Sequence, residues 1–274
     1  MLYAKDVQGN RVRPTPGAIA WCGDCGAGMI PKCGRRNIWH WAHHAGDCDT
    51  WNEGETDWHY GWKLRAPVEW CEVRLPPHRA DIRRPHDGLV LELQHSPISP
   101  AEIEKREAFY GNMWWLFDQT ILKKSNSIRF FQKPNGRWTA RQLNYRGRYD
   151  AIKKPMFWDL GGPILAFDEP FHLRAKEGYI RLLSRSEFLA LANLTPLTAE
   201  ESRTISHYIV SREDEDPIHG APALKLTLQD AEEYAASFVP CTITAYRLDG
   251  SIETVLTYSP KIEFPFGSRH LSPR

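Results

Sequence analysis

Arg79-Ala80-Asp81-Ile82, followed after a turn by Gly88-Leu89-Val90-Leu91-Glu92-Leu93-Gln94, is the stretch on which the fold turns. Side chains alternate across a strand, so Glu92 and Gln94 project from one face of the second segment and Leu91 and Leu93 from the other. If Asp81 stands on the neighbouring strand, two carboxylates and an amide converge at one place on a sheet. A hard divalent cation such as Mg2+ takes oxygen ligands and is commonly held by one or two carboxylates together with substrate phosphates. The same pattern also describes a hairpin whose solvent face carries Asp81, Glu92 and Gln94.

Outward from this pair, Pro85-His86-Asp87-Gly88 is a good turn, and Val68 to Arg74 alternates as a preceding strand that Pro76-Pro77 ends. Before that strand, residues 52–66 read as a helix, with Asn52 as cap and Glu55 at the third helical position. Glu55, His59 and Lys63 recur at i, i+4 and i+8 and so share a face, either as a functional set or as a solvated stripe; Trp58 and Trp62 lie beside them. Gly61 costs such a helix about 1 kcal/mol relative to alanine. After the central pair, Ser99-Pro100-Ala101-Glu102 opens a helix to about Tyr110, and Asn112 to Asp118 is an apolar strand. Helix, three strands, helix, strand: that order predicts a mixed α/β core.

Cys22-Gly23-Asp24-Cys25 is a C-x2-C knuckle, and His40-Trp41-Ala42-His43 and Cys48 follow it. Tetrahedral zinc takes four nitrogen or sulfur ligands, and a knuckle with a second ligand pair beyond a short loop supplies them. Cys22, Cys25, His43 and Cys48 are the expected set, with His40 or Cys33 as substitutes; the alternative is free cysteines and surface histidines. A full protein ligand set leaves no open position, so the role expected of this zinc is structural. Before the knuckle, Gln8-Gly9-Asn10 marks a short hairpin.

Length and composition bound these readings. A chain of 274 residues is long enough for about two domains, and a net charge of +1 neither favours nor excludes nucleic acid or membrane as a partner. No apolar run reaches the roughly 18 residues of a spanning helix, and Met1-Leu2-Tyr3-Ala4-Lys5-Asp6 is not a signal peptide, so a cytoplasmic protein without a membrane partner is expected. Reduced thiols there favour metal over disulfides for the clustered cysteines.

Between Ile121 and Pro155 the composition shifts to ten Lys or Arg against one acid, Asp150, with Phe130, Phe131, Trp138, Tyr145 and Tyr149 interleaved. Cations neutralise phosphates and rings stack on bases, so Arg129, Arg137, Arg141, Arg146 and Arg148 are candidate nucleic-acid contacts; a solvated basic loop over core aromatics is the alternative. Further on, strands are expected at 157–160 and 164–167, helices at 184–191, 199–210 and 227–238, and a hairpin at 241–247 and 252–258. The organisation expected is a hairpin and zinc-ribbon-like segment (1–50), a mixed α/β core (51–120), a basic aromatic stretch (121–160) and a C-terminal α+β region (161–274), the last a candidate for homodimer or partner contacts.

Taken together, Cys22-x2-Cys25, His40-Trp41-Ala42-His43, Cys48, Glu55-x3-His59-x3-Lys63, Arg79-Ala80-Asp81 and Glu92-Leu93-Gln94-His95-Ser96-Pro97-Ile98 form an ordered series. Over about residues 18–120 that series resembles the CoiA-like competence protein family, which carries a restriction-endonuclease-like PD-(D/E)XK core behind a small cysteine- and histidine-bearing segment. The resemblance implies that Asp81 is the metal-binding aspartate and Glu92 the acid of the (D/E)XK element. Gln94 stands where many such nucleases keep lysine; glutamine positions water but supplies no cation, and Lys63 is placed to make up some of that charge. Glu55 and His59 are implied as first-helix residues reaching the site, Ser96 as a contact to the scissile phosphate, and Arg106 as a backbone contact. A Mg2+- or Mn2+-dependent deoxyribonuclease with a structural zinc is therefore the leading expectation. A non-cleaving DNA-binding or recombination accessory protein on the same fold is the alternative, favoured by Gln94; a zinc-stabilised interaction module leaves Asp81 and Glu92 unexplained.

Overall fold

The computed structural model describes residues 1–35, 38–46, 48–51, 54–121, 128–142, 147, 149–167, 177–202, 205–212, 223–225, 231–232 and 241–258. Asn52, Arg146, Arg148 and most of the helix expected at 227–238 lie outside these residues. The protein is mixed α+β, with one large sheet and few helices.

At the N-terminus, β1 (Ala4–Lys5) and β2 (Arg11–Val12) form the short hairpin expected around Gly9, and β3 (Met29–Lys32) pairs with β4 (His40–His43). The first helix, α1, covers Asp57–Lys63 rather than 52–66. Thr56 is its cap, accepting from the His59 amide, so Glu55 precedes the helix instead of occupying its first turn. A 3-10 turn at Val68–Trp70 takes up the start of the strand expected from Val68, and β5 runs only over Cys71–Leu75.

Strands β5, β6 (His78–Arg83) and β7 (Val90–Gln94) follow as an antiparallel meander. The turn into β7 places Gly88 at φ +70, a left-handed conformation that glycine adopts without steric cost. Helix α2 (Pro100–Tyr110) then crosses over to β8 (Met113–Asp118), which pairs in parallel with β7. Ser99 caps α2 by accepting from the Glu102 amide at 3.2 Å, with Pro100 in its first turn, as the sequence pattern predicts.

The sheet continues past Asp118. Strands β9 (Ile128–Gln132), β10 (Trp138–Gln142), β11 (Met156–Asp159), β12 (Ile164–Phe167) and β13 (Glu177–Leu183) complete nine strands in the order β5-β6-β7-β8-β11-β12-β13-β10-β9. The basic stretch, set apart by composition, thus supplies β9, β10 and β11 to the same sheet as β7. A helix at Arg185–Ala192 follows, held by a complete Ser184/Glu187 capping box. The helix expected at 199–210 is instead a short helix, Ala199–Ser202, and a strand, β14 (Ile205–Arg212). Ile205, Ile209 and Val210 favour a pleated strand, and partners β15 (Ala223–Lys225) and β16 (Cys241–Arg247) override the helical reading. With β17 (Ile252–Tyr258) these form a second, four-stranded sheet that includes the expected terminal hairpin.

Two apolar clusters sandwich the centre of the large sheet, one built on Trp115, Trp158, Tyr149 and Ile103, the other on Trp62, Leu91, Leu93, Leu116 and Phe188. Every residue of β7 is buried. A hairpin with a solvent face is therefore the wrong picture for Glu92 and Gln94: they sit inside, where an ionised or amide group requires partners.

Candidate metal centre and acid pocket

The knuckle folds back on itself because Gly26, at φ +73, lets the Cys22 amide reach the Ala27 carbonyl at 2.8 Å. Strand β4 delivers His43 to the same point and the following loop delivers Cys48. The ligand atoms of Cys22, Cys25, His43 and Cys48 all lie within 4.8 Å of one another, and this is the group of that kind found among the described residues. Cys22 Sγ is 3.7 Å from Cys48 Sγ, and Cys25 Sγ is 3.4 Å from His43 Nε2. The substitutes stand elsewhere: His40 Nδ1 meets the Ile38 carbonyl at 2.8 Å, and Cys33 lines a separate basic hollow with Lys32 and Arg35. Burial and the neighbouring Cys22 and Cys25 sulfurs push the Cys48 thiol up to about 12. Three sulfurs at this spacing need a cation before all can be thiolates. Three thiols and an imidazole are a donor set that could hold a metal such as zinc.

The second centre lies where β6 and β7 part. Their ladder pairs Arg83 with Val90 and Ile82 with Leu91, and beyond it the Leu93 amide donates to the Asp81 carboxylate at 3.0 Å. Since Ile82 faces the same side as Leu91, alternation sends Asp81 and Glu92 to the other. A chamber opens there, with room for about two water-sized positions, lined by Glu55, His59, Lys63, Glu72, Asp81, Glu92 and Arg106 among others. Glu55, His59, Lys63, Asp81 and Glu92 are thus brought together as the sequence series predicts. Glu55 arrives by a different route, from the chain ahead of α1 rather than from its face.

Lys63 occupies the middle of the acids. Its ammonium, 4% exposed, pairs with Glu55 at 2.5 Å, Asp81 at 3.0 Å and Glu72 at 3.3 Å, one carboxylate for each of its three donors. Burial alone would lower its pKa, but Asp81, Glu55 and Glu72 outweigh it and hold the group well above the ordinary lysine range. Burial likewise works to raise Asp81 and Glu72. The Lys63 charge reverses both, leaving Asp81 below the usual carboxylate range and Glu72 at about 2. Glu92 behaves oppositely: burial first, then the Asp81 charge, push it up to about 8 against the pull of Arg106. Asp81, its side chain 22% exposed against 3–5% for Glu55, Glu72 and Glu92, forms the rim of the chamber.

Glu55 Oε2 and Glu92 Oε2 are buried without a hydrogen-bond partner among the described residues. Such carboxylate oxygens fit a hard cation. His59 is engaged at both nitrogens, Nδ1 with the Thr56 hydroxyl at 2.8 Å and Nε2 with the Leu93 carbonyl at 3.2 Å. It bridges α1 to β7 and must release the Leu93 carbonyl before Nε2 can accept a proton.

Arg106 is placed differently from the expectation. It is buried, donating to Glu92 Oε1 at 2.8 Å and to the Trp51 carbonyl at 3.0 Å, so it is a counter-ion and not a surface contact to a phosphate chain. Gln94 lies outside the acid chamber. It is 1% exposed, donates to the Ser96 carbonyl at 2.8 Å and lines the adjoining cavity of about 260 Å3 with His95, Ser96, Asp118, Gln119 and Tyr149. Arg129 and Arg141 stand opposite each other on β9 and β10, with Arg141 over the Phe131 ring and Arg137 over that of Tyr179. These arginines are at the β9 end of the sheet, β10 and β9 lying five and six strand positions from β7.

Sequence reasoning missed Glu72, Asp49 and Arg79, which also line the chamber. Glu72 is set apart by its backbone: it follows a 3-10 turn and sits at φ +48, a left-handed conformation rare for a side chain of its size. Its carboxylate accepts from the Leu2 and Tyr3 amides at 2.7 and 3.1 Å, binding the chain start to the pocket. Compared with protein-family models, curated proteins and solved structures, the chain gives no match.

Proposed function

We propose that the protein is a Mg2+-dependent DNA nuclease, with the cation held by Asp81 and Glu92 and Glu55 as a further ligand. What carries this reading is the convergence of those three acids, from two adjacent strands and the chain ahead of α1, on one small chamber. The buried, partnerless oxygens of Glu55 and Glu92 and the raised pKa of Glu92 describe a site with more negative charge than its own cations satisfy. A bound Mg2+ supplies polarisation of the phosphate and a lowered pKa for water. The chain's own residues do the rest: Asp81 at the rim meets the substrate side first, Lys63 offsets charge from within, and Arg106 holds Glu92 in place. The order α1-β5-β6-β7-α2-β8 supports the PD-(D/E)XK resemblance, because it is the helix, three strands, helix, strand expected of the core.

The second reading, a non-cleaving DNA-binding or recombination accessory protein, is favoured by one observation: Gln94 turns into the neighbouring cavity rather than the acid chamber. Incubation with linear, circular, nicked and single-stranded DNA in Mg2+ or Mn2+, against Asp81→Ala and Glu92→Ala, separates the two. Cleavage that both substitutions abolish supports the nuclease; no metal-dependent cleavage of any form leaves the accessory role.

A further inference from the structure

The thiol centre and the acid pocket share their supports. Asp24, between the Cys22 and Cys25 ligands, accepts from Arg79 Nε at 2.9 Å, and Arg79 stands two residues before Asp81 on β6. Asp24 Oδ1 also faces Arg74 Nε at 3.5 Å, on β5. On the other side, Cys48 is followed at once by Asp49, whose carboxylate meets His78 Nδ1 at 2.9 Å at the start of β6. Trp51 stacks flat on the His78 ring, centroids 3.3 Å apart, and its carbonyl accepts from the Arg106 that holds Glu92. Both segments that present thiols therefore end on strands or counter-ions of the acid pocket.

We propose that the Cys22-Cys25-His43-Cys48 centre is a positioning device for the acid pocket, so that metal occupancy at the first governs the geometry of the second. The Cys22–Cys25 turn and the Cys48–Trp51 loop are separate in sequence, and the shared metal is what would clamp them together. With the clamp closed, Asp24 restrains Arg79 and the Asp49–Trp51 loop restrains His78 and Arg106, fixing β6 at Asp81 and α2 against Glu92. With it open, each link becomes a loose ion pair on a mobile loop, worth little against side-chain entropy. Asp24, Asp49 and Trp51 are positioning residues in this scheme: they act through Arg79, His78 and Arg106. The coupling rests on the zinc reading of the thiol centre and not on cleavage.

The experiment is residue-resolved amide hydrogen exchange on the full chain, following Leu93, whose amide donates to Asp81, and Leu116 in β8 as a reporter of global opening. Three samples are compared: zinc-loaded protein, protein stripped with a chelator under reducing conditions, and zinc-loaded Asp24→Asn, which keeps all four ligands. Leu93 exchange about tenfold faster in the last two, with Leu116 unchanged, is the result expected when the Asp24 restraint on Arg79 and β6 is lost. Equal shifts at Leu93 and Leu116 in Asp24→Asn, no shift at Leu93, or a protein that takes up no zinc overturns the proposal. If stripping unfolds the chain, Asp24→Asn decides alone. Because exchange does not require turnover, failure of the nuclease reading and failure of this coupling give different outcomes.

Discussion

Arg106 and Glu92 form a buried ion pair, 2.8 Å from Nη1 to Oε1, with side chains 7% and 4% exposed. It joins α2 to the central strand and fixes the acid that the proposed chemistry needs most. A buried pair of this kind is costly to break from the acidic side, because the Arg106 guanidinium cannot lose its proton and is left charged and desolvated. Glu92→Leu alone is expected to lower stability by about 3–5 kcal/mol, and the Arg106→Leu/Glu92→Leu double change by clearly less. Urea unfolding of the three proteins checks this; equal losses in the single and double variants would contradict it.

Purified protein is expected to carry about one zinc per chain. Cys22→Ser and Cys48→Ser lower zinc content and melting temperature together, whereas Cys33→Ser and His40→Ala, outside the ligand cluster, leave zinc content unchanged. Elemental analysis beside thermal melts tests each substitution.

Glu72 links stability to acid. Its folded pKa, about 2, lies below the ordinary glutamate value of 4.5, so it favours the folded state above pH 4.5. That contribution fades as the pH falls from about 4.5 through 2, by about 3 kcal/mol in all. Unfolding free energies between pH 6 and pH 2 should slope accordingly, and Glu72→Gln should be less stable at pH 6 and flatter across that window.

Gln94 and Glu92 are two residues apart on one strand but open onto different cavities. Mn2+ titration is therefore expected to show binding lost in Glu92→Ala and retained within about threefold in Gln94→Ala. A Gln94→Ala protein that binds no Mn2+ would place the amide among the ligands after all.

If Arg129, Arg137 and Arg141 touch DNA, replacing all three with alanine weakens binding and reduces the steepness of log affinity against log salt by about 2–3. Fluorescence anisotropy at several salt concentrations measures both. An unchanged slope removes the β9–β10 edge from the DNA contact surface.

Most of the local order is legible in the sequence, because it depends on near neighbours. The C-x2-C spacing with His43 and Cys48, the cap at Ser99, and the alternation that sets Asp81 beside Glu92 all follow from periodicity and turn chemistry. What stays hidden depends on residues distant in sequence. Alternation cannot show that β7 lies between two apolar clusters, since that requires β8 and β11 beside it. Arg106 reads as a helix-surface cation until α2 is laid over Glu92. Glu72 reads as an ordinary strand residue, because its partners are the first amides of the chain and a lysine from α1. The strand at 205–212 reads as helix because its partner, β16, begins 29 residues further on.

Glu72, held at φ +48, sets stability and function against each other. Glycine would relieve a left-handed backbone cost of about 1–2 kcal/mol, and asparagine part of it. Either would remove the carboxylate that receives Lys63 and the Leu2 and Tyr3 amides. Selection for thermal robustness alone would have reason to trade this glutamate away, and selection for a charged pocket to retain it. A library at position 72, sorted separately for heat resistance and for cation binding, should therefore return different residues from the two sorts.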